Sequence, residues 1–282
     1  MVICSKCGSD ISDSDEKCST CGQDAGFPNV RTVERHEEIS ALEERYDKAM
    51  EIANTKGSLE CVKRFGENMK RTSAVVNVNL DYLHRFMTND KELYTTYSLA
   101  VKGEVRKPAT GQNDRHRRTI DAMLFGGYSE QVRNAALSLD GSGLKSWGPF
   151  AMKLREVAIM DRATLLEDNP YNFVPKHKIE PGGDIPPGYR STWKERHKLG
   201  VAKLAERISS STSEKEHAQI LLRSTGDRRS DDFIEVHIYG SFDNKAVESV
   251  RASSSTANKA EGALVQMVKE HLTKVGKSWI EG

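Results

Sequence analysis

The sequence predicts an α+β fold with a small metal-binding module at its amino terminus. Two C-x-x-C pairs open the chain, and residues 29–90 mostly show the apolar spacing of helices. Residues 91–282 contain short apolar or alternating runs bounded by turn-forming residues, as strands do. Irregular loops separate these runs more than regular helices do, so we do not expect a doubly wound parallel sheet. We therefore divide the chain into a module at 1–28, a helical connector at 29–90 and an α+β domain at 91–282.

The first module has the spacing of a zinc ribbon, because ten residues separate its two cysteine pairs. Gly8 and Gly22 follow the second cysteine of each pair and allow the positive φ angles that such a turn needs. Four thiolates leave no position open for a substrate, so we expect a structural Zn2+ ion and place the chemistry elsewhere. The expected ligands are Cys4, Cys7, Cys18 and Cys21.

Composition narrows the choice of partners and compartment. The formal net charge is only +1, so a nucleic acid or an anionic membrane would need a local binding site. No apolar run approaches the roughly 18 residues of a membrane span, and metal ligands stand where a signal peptide would be apolar. The remaining Cys61 cannot form an intramolecular disulfide, and we interpret it as a buried structural thiol. These features predict a cytoplasmic protein with no membrane partner.

Apolar spacing predicts the regular elements. We expect helices at 32–55, 59–70, 80–88, 193–208 and 256–275, the third of them capped by Asn79. We expect strands at 92–99, 134–139, 150–154, 163–166, 218–222 and 233–239. Residues 175–189 are rich in proline and glycine, which is typical of an extended loop or lid.

The strand at 233–239 carries the most specific pattern. Alternation puts Ile234, Val236 and Ile238 on one face, which must be the core side. Glu235, His237 and Tyr239 then lie together on the opposite face, with Phe233. That face is either solvent, where Glu235 would be an ordinary surface residue, or the wall of a cleft.

Three segments resemble ADP-ribosyltransferase-fold toxins over roughly residues 93–250. AALSLDGSGLKSWGPFAMKL, followed by RATLLEDN, is similar to the strand, glycine turn, Ser-aromatic-Gly and strand of divergent members, and FIEVHIYG is similar to their late strand with the catalytic glutamate. The resemblance implies an antiparallel split sheet that holds NAD as substrate in a cleft. It assigns Glu235 to binding the ribose and stabilising an oxocarbenium-like transition state. Phe233 replaces the second acid of arginine-modifying members, so the acceptor stays open.

Other residues could bind the substrate. Ser146 and Trp147 offer a hydroxyl and an aromatic surface for a flat ring, although Trp147 could equally be a core residue in a turn. Tyr189 and Arg190 lie where the proline-rich loop ends, and Arg106 belongs to a basic stretch that could hold a pyrophosphate.

A run of basic residues is a second candidate binding site. Arg115, Arg117 and Arg118 could contact NAD phosphates or a nucleic-acid backbone, or could simply form a solvated surface.

These expectations combine into one leading function and two alternatives. The leading interpretation is transfer of ADP-ribose from NAD to a nucleic acid or protein, in a bacterial toxin or anti-phage effector that an antitoxin or inhibitor protein could bind. The principal alternative is a non-enzymatic zinc-ribbon protein that binds nucleic acid or acts as an adaptor. A nuclease is a third interpretation, but no convincing carboxylate cluster for Mg2+ is present in the sequence.

Overall fold

The computed structural model describes residues 2–95, 99, 112–181, 183–253 and 259–282. Its strands are β1 (Val2–Ile3), β2 (Asp10–Ile11), β3 (Ser73–Val78), β4 (Val132–Ser138), β5 (Phe150–Leu154), β6 (Ala163–Leu166), β7 (Arg190–Thr192), β8 (Glu235–Tyr239), β9 (Val247–Ala252) and β10 (Ser278–Glu281). Its α-helices are α1 (Pro28–Val33), α2 (His36–Thr55), α3 (Leu59–Met69), α4 (Leu80–Thr88), α5 (Gln112–Phe125), α6 (Pro170–Lys176), α7 (Arg196–Leu204), α8 (His217–Leu221) and α9 (Lys259–Lys274).

The central element is an eight-stranded sheet in the order β10-β9-β5-β3-β4-β8-β6-β7. Every neighbouring pair is antiparallel except β9 and β10. The prediction of a mixed α and β fold with a mostly antiparallel sheet is therefore confirmed. Only three residue pairs, between Ser73–Val75 and Ala136–Ser138, join β3 to β4, whereas Val75–Val78 pair with β5. The hydrogen-bonded sheet is thus continuous but narrowly joined at its middle.

The two faces of the sheet carry different layers. Apolar side chains of one face, such as Val236 and Ile238, join the main core with residues of α2, α3, α4, α7 and α9. On the other face, Ile120 and Leu124 of α5 pack with Leu166 of β6 and Tyr239 of β8. The charged residues of β8 therefore lie under a second layer and not in open solvent.

Three predicted elements need correction. Residues 218–222 are not a strand: they fall largely in α8, which follows a capping box formed by Ser213 and Glu216. Of the strand predicted at 92–99, Tyr94 forms an isolated bridge with Phe242, and residues 96–98 lie outside the described part of the chain. The segment 29–90 is not wholly helical, because β3 within it is a central strand between β4 and β5.

No helix in the described ranges is both long and apolar enough to cross a bilayer.

Candidate functional site

Four cysteine sulfurs meet at the amino terminus. All lie within 4.8 Å of one another, and the Sγ atoms are 3.6 Å apart both between Cys4 and Cys21 and between Cys7 and Cys18. Zn–S bonds of about 2.3 Å in a tetrahedron put sulfurs about 3.8 Å apart. Gly8 and Gly22 have φ angles of 72° and 70°, as the turns require. The four thiols can therefore hold one metal ion.

Glu235 begins β8 and faces α5 across the sheet surface. Its side chain is only 4% exposed, and both carboxylate oxygens are bound by the guanidinium of Arg117, at 2.8 Å to Oε1 and 3.1 Å to Oε2. His237 Nε2 lies 2.9 Å from Oε2. Arg117 Nε also donates to Asp121 Oδ1 at 2.9 Å, one helical turn away. We call Arg117, Asp121, Glu235 and His237 the Glu235 cluster.

The pKa values of the two acids in the Glu235 cluster are shifted in opposite directions. Burial alone would raise the pKa of Glu235, but the charge of Arg117 and the hydrogen bonds from His237 and Arg117 outweigh it, so this pKa is lowered. Burial raises the pKa of Asp121, and the negative charge of Glu235 adds to that shift while Arg117 opposes it. Burial would lower the pKa of Arg117, yet both carboxylates raise it. Glu235 is therefore an ionised carboxylate held by a cation inside the protein.

Ser146 and Trp147, predicted as cleft residues, contact residues other than the four members of the Glu235 cluster. They belong to the 3-10 turn Lys145–Trp147, and Trp147 packs against the apolar cluster of Ala136, Leu144 and Phe233. Ala136 pairs with Glu235 across β4 and β8. Ser146 Oγ donates to Asp231 Oδ2 at 2.5 Å. The Arg228 guanidinium lies 4.0 Å from the centre of the Trp147 ring, an attractive cation–π contact.

Tyr189 and Arg190 lie farther along the same face and have other partners. Leu166 of β6 pairs with Arg190 on one side and with Glu235 on the other. The backbones of Arg190 and Glu235 are therefore two strand spacings apart, about 10 Å. The Arg190 guanidinium pairs with the buried Glu38 of α2. The Arg45 guanidinium lies 3.9 Å from the centre of the Tyr189 ring. These contacts tie both residues to the helical segment, so the structure does not bring them against Glu235.

The basic run divides into inward and outward residues. Arg117 points into the Glu235 cluster, whereas the adjacent Arg118 is exposed and lines an open surface cavity of about 490 Å3 with Thr119, Ala122, Met123 and Pro181. This division follows from helix geometry, since neighbouring residues point about 100° apart. Arg106 and the side chain of Arg115 lie outside the described residues.

Asp121, Asp231 and Asn29 also belong to this region and were not predicted from the sequence. A usable signal existed for Asp121, because it stands four residues after Arg117 on one helix, the spacing of an ion pair. Asp231 is fully buried and also accepts a hydrogen bond from the backbone nitrogen of Thr225 at 2.7 Å. Neither Asp231 nor Asn29 carries a spacing signal, because their partners are distant in sequence or lie within a loop.

No protein-family model matches this chain, and a search of curated proteins found no significantly similar one. The resemblance to ADP-ribosyltransferase-fold toxins therefore stays a prediction from sequence.

Proposed function

We propose that this protein transfers ADP-ribose from NAD to a macromolecular acceptor, with Glu235 as its catalytic carboxylate. The observation that supports this most is the state of Glu235: it is ionised, buried and fixed by Arg117 and His237 on a late antiparallel strand. An ionised carboxylate can stabilise positive charge that develops beside it once the Arg117 guanidinium has moved away. Trp147 would offer an aromatic surface for a flat ring once Arg228, which lies 4.0 Å from the centre of its ring, moves away.

The chemistry follows from the charge that develops during the reaction. The bond between the nicotinamide nitrogen and ribose C1 breaks, and its electron pair leaves with nicotinamide, which departs as a neutral molecule. The sugar becomes oxocarbenium-like and is stabilised by Glu235. A nucleophilic atom of the acceptor then bonds to C1 and releases its proton to solvent. If water takes the place of the acceptor, the same site hydrolyses NAD.

This mechanism requires access to a carboxylate that Arg117 covers. The two oxygens of Glu235 are both engaged, and its side chain is nearly inaccessible. The guanidinium occupies the position that a positively charged substrate group would take. NAD binding and the Arg117 contact therefore compete, and the Arg117 guanidinium must leave Glu235 for turnover.

We propose that the four cysteines bind a structural Zn2+ ion, since no ligand position is left for a substrate. The acceptor is a nucleic acid or a protein, and the biological role is that of a toxin or anti-phage effector held in check by an antitoxin or inhibitor protein.

Labelled NAD provides the test. The purified chain is incubated with labelled NAD and separate pools of protein, RNA and DNA, and transfer and free nicotinamide are measured. We expect Glu235→Gln to lower turnover by about 100-fold or more, because the charge that stabilises the transition state is lost. Glu248→Gln is the matched control, since Glu248 is an exposed strand residue paired with Lys153 at 2.8 Å.

Two results would refute this function. The first is turnover at the wild-type rate in a folded Glu235→Gln variant. The second is a wild-type protein that neither transfers ADP-ribose nor releases nicotinamide; nucleic-acid binding by such a protein would favour the non-enzymatic alternative.

A further inference from the structure

Asn29 joins the metal module to the strand that carries Glu235. It lies in α1, is 3% exposed, and its Nδ2 donates to three acceptors on β6, β8 and the turn before β6. The distances are 3.1 Å to Arg162 O, 3.3 Å to Thr164 Oγ1 and 3.2 Å to His237 O. An amide NH2 group has only two hydrogens, so at least one is shared between acceptors. The amide therefore fastens the β6–β8 pair at the level of His237.

The metal module contacts the same strand a second time. Tyr239 OH donates to Glu16 Oε1 at 2.9 Å, and the rings of Phe27 and Tyr239 lie 5.6 Å apart. Glu16 stands between the two cysteine pairs, so its position depends on the fold of the module. A module of this size has too little core to hold its shape without metal.

Arg31 fixes the joint between module and sheet. Its guanidinium donates to carbonyl oxygens on both sides of the second cysteine pair, those of Ser12, Asp13, Asp15, Ala25 and Gly26. Five acceptors on one side chain make the segment before α1 a rigid continuation of the module. Loss of the metal-bound fold would therefore remove these five contacts from the helix that carries Asn29.

The contacts form a short chain to the proposed catalytic group. The module positions Asn29, Asn29 binds the backbone of His237, and the His237 imidazole is 2.9 Å from the Glu235 carboxylate. Glu235, His237 and Tyr239 alternate along one strand face, so a change in the backbone at His237 also moves its neighbours.

We propose that the metal module is a positioning element for β8 and that Asn29 is the positioning residue through which it acts. Metal binding fixes the backbone at His237 and thereby the orientation of the imidazole toward Glu235. Only the activity readout of this inference rests on the proposed ADP-ribose transfer; the structural readout does not.

The structural experiment uses the full chain labelled with 15N-histidine. The chain has eight histidines, and the His237 signals are identified by their loss in His237→Gln. We expect metal chelation to shift the His237 ring signals of the wild type. Asn29→Asp, which keeps the shape but removes the NH2 donors, should shift them in the presence of metal, and chelation should then add little.

The matched control is Asn172→Asp. Asn172 Nδ2 donates to Arg229 O at 3.0 Å at an exposed position, so this variant loses the same kind of contact away from β8. Should Asn29→Asp fail to fold, Tyr239→Phe replaces it, because it removes only the contact with Glu16. The inference would be overturned if the His237 ring signals kept their positions on chelation and also in the Cys18→Ser variant.

Measuring NAD turnover beside the His237 signals distinguishes a failure of the positioning role from a failure of the proposed function. If NAD is turned over, Asn29→Asp should lower kcat by about 10-fold, as loss of a supporting contact does, with KM changed less than about twofold. A coupled His237 signal in a protein without NAD turnover rejects ADP-ribose transfer and retains the positioning role. Turnover without coupling rejects the positioning role alone.

Discussion

Replacing Arg117 should destabilise the protein more than replacing Glu235. Arg117→Met leaves the buried Glu235 and the partly exposed Asp121 without their cation, and removal of one partner of a buried pair costs about 3–5 kcal/mol. Glu235→Gln leaves Arg117 paired with Asp121, and the amide oxygen still accepts a hydrogen bond. The lost charge should then cost about 1–3 kcal/mol, because part of the hydrogen bonding remains.

Urea unfolding at pH 7, followed by circular dichroism, measures both free energies. Arg85→Met is the control, since Arg85 pairs with Glu92 on the surface, where ion pairs contribute about 0–1 kcal/mol. In Arg117→Met, protonation of the two unpaired carboxylates limits the decrease in the free energy of unfolding. This decrease should therefore become smaller as the pH is lowered toward the ordinary pKa values of the acids. An Arg117→Met loss no larger than that of Arg85→Met would refute the cluster as a strongly coupled unit.

Two pH predictions accompany this one. The pKa of Asp121 is raised, mainly by burial, so its contribution to stability is present at low pH and lost as the pH rises above about 3.9 through the folded value. Asp121→Asn should remove that decline, which urea midpoints between pH 4 and 7 will show; an unchanged slope would contradict it. Burial lowers the pKa of His217, whose Nδ1 lies 2.9 Å from Asn68 Nδ2, so stability falls as the pH drops below about 6.5 toward the folded value. Asn68→Asp supplies a carboxylate that favours the imidazolium, and the loss of melting temperature between pH 7.5 and 5.5 should shrink; a steeper loss would count against it.

Local pattern was sufficient for some elements and ambiguous for others. Period-two alternation correctly put Glu235, His237 and Tyr239 on one strand face, because the core demanded the aliphatic residues on the other. The run at 218–222 is short and apolar, and such a run fits a buried strand or a helix equally well. The capping box at Ser213 and Glu216 was the signal that favours the helix.

What covers the polar face could not be predicted from pattern. Arg117 reaches Glu235 across 118 residues of sequence, and Asn29 reaches His237 across 208. Hydrophobic periodicity describes single elements and holds no information on which face of the sheet a basic helix will occupy. The sequence therefore suggested a charged surface at Arg117, where the fold makes a buried ion cluster.

Whether the fold itself requires the charges of the Glu235 cluster can be tested by replacing them with apolar residues. Well-packed apolar residues often stabilise a core as well as a buried ion cluster does, or better by about 1–4 kcal/mol. The combined variant Arg117→Met, Asp121→Leu and Glu235→Met should then fold at least as stably as the wild type, although Arg117→Met alone does not. In that case the fold does not require the charges, and the ionised Glu235 is better explained by the chemistry proposed for it. A combined variant as unstable as Arg117→Met alone would instead make the cluster a structural requirement of the sheet and remove this support for a catalytic role.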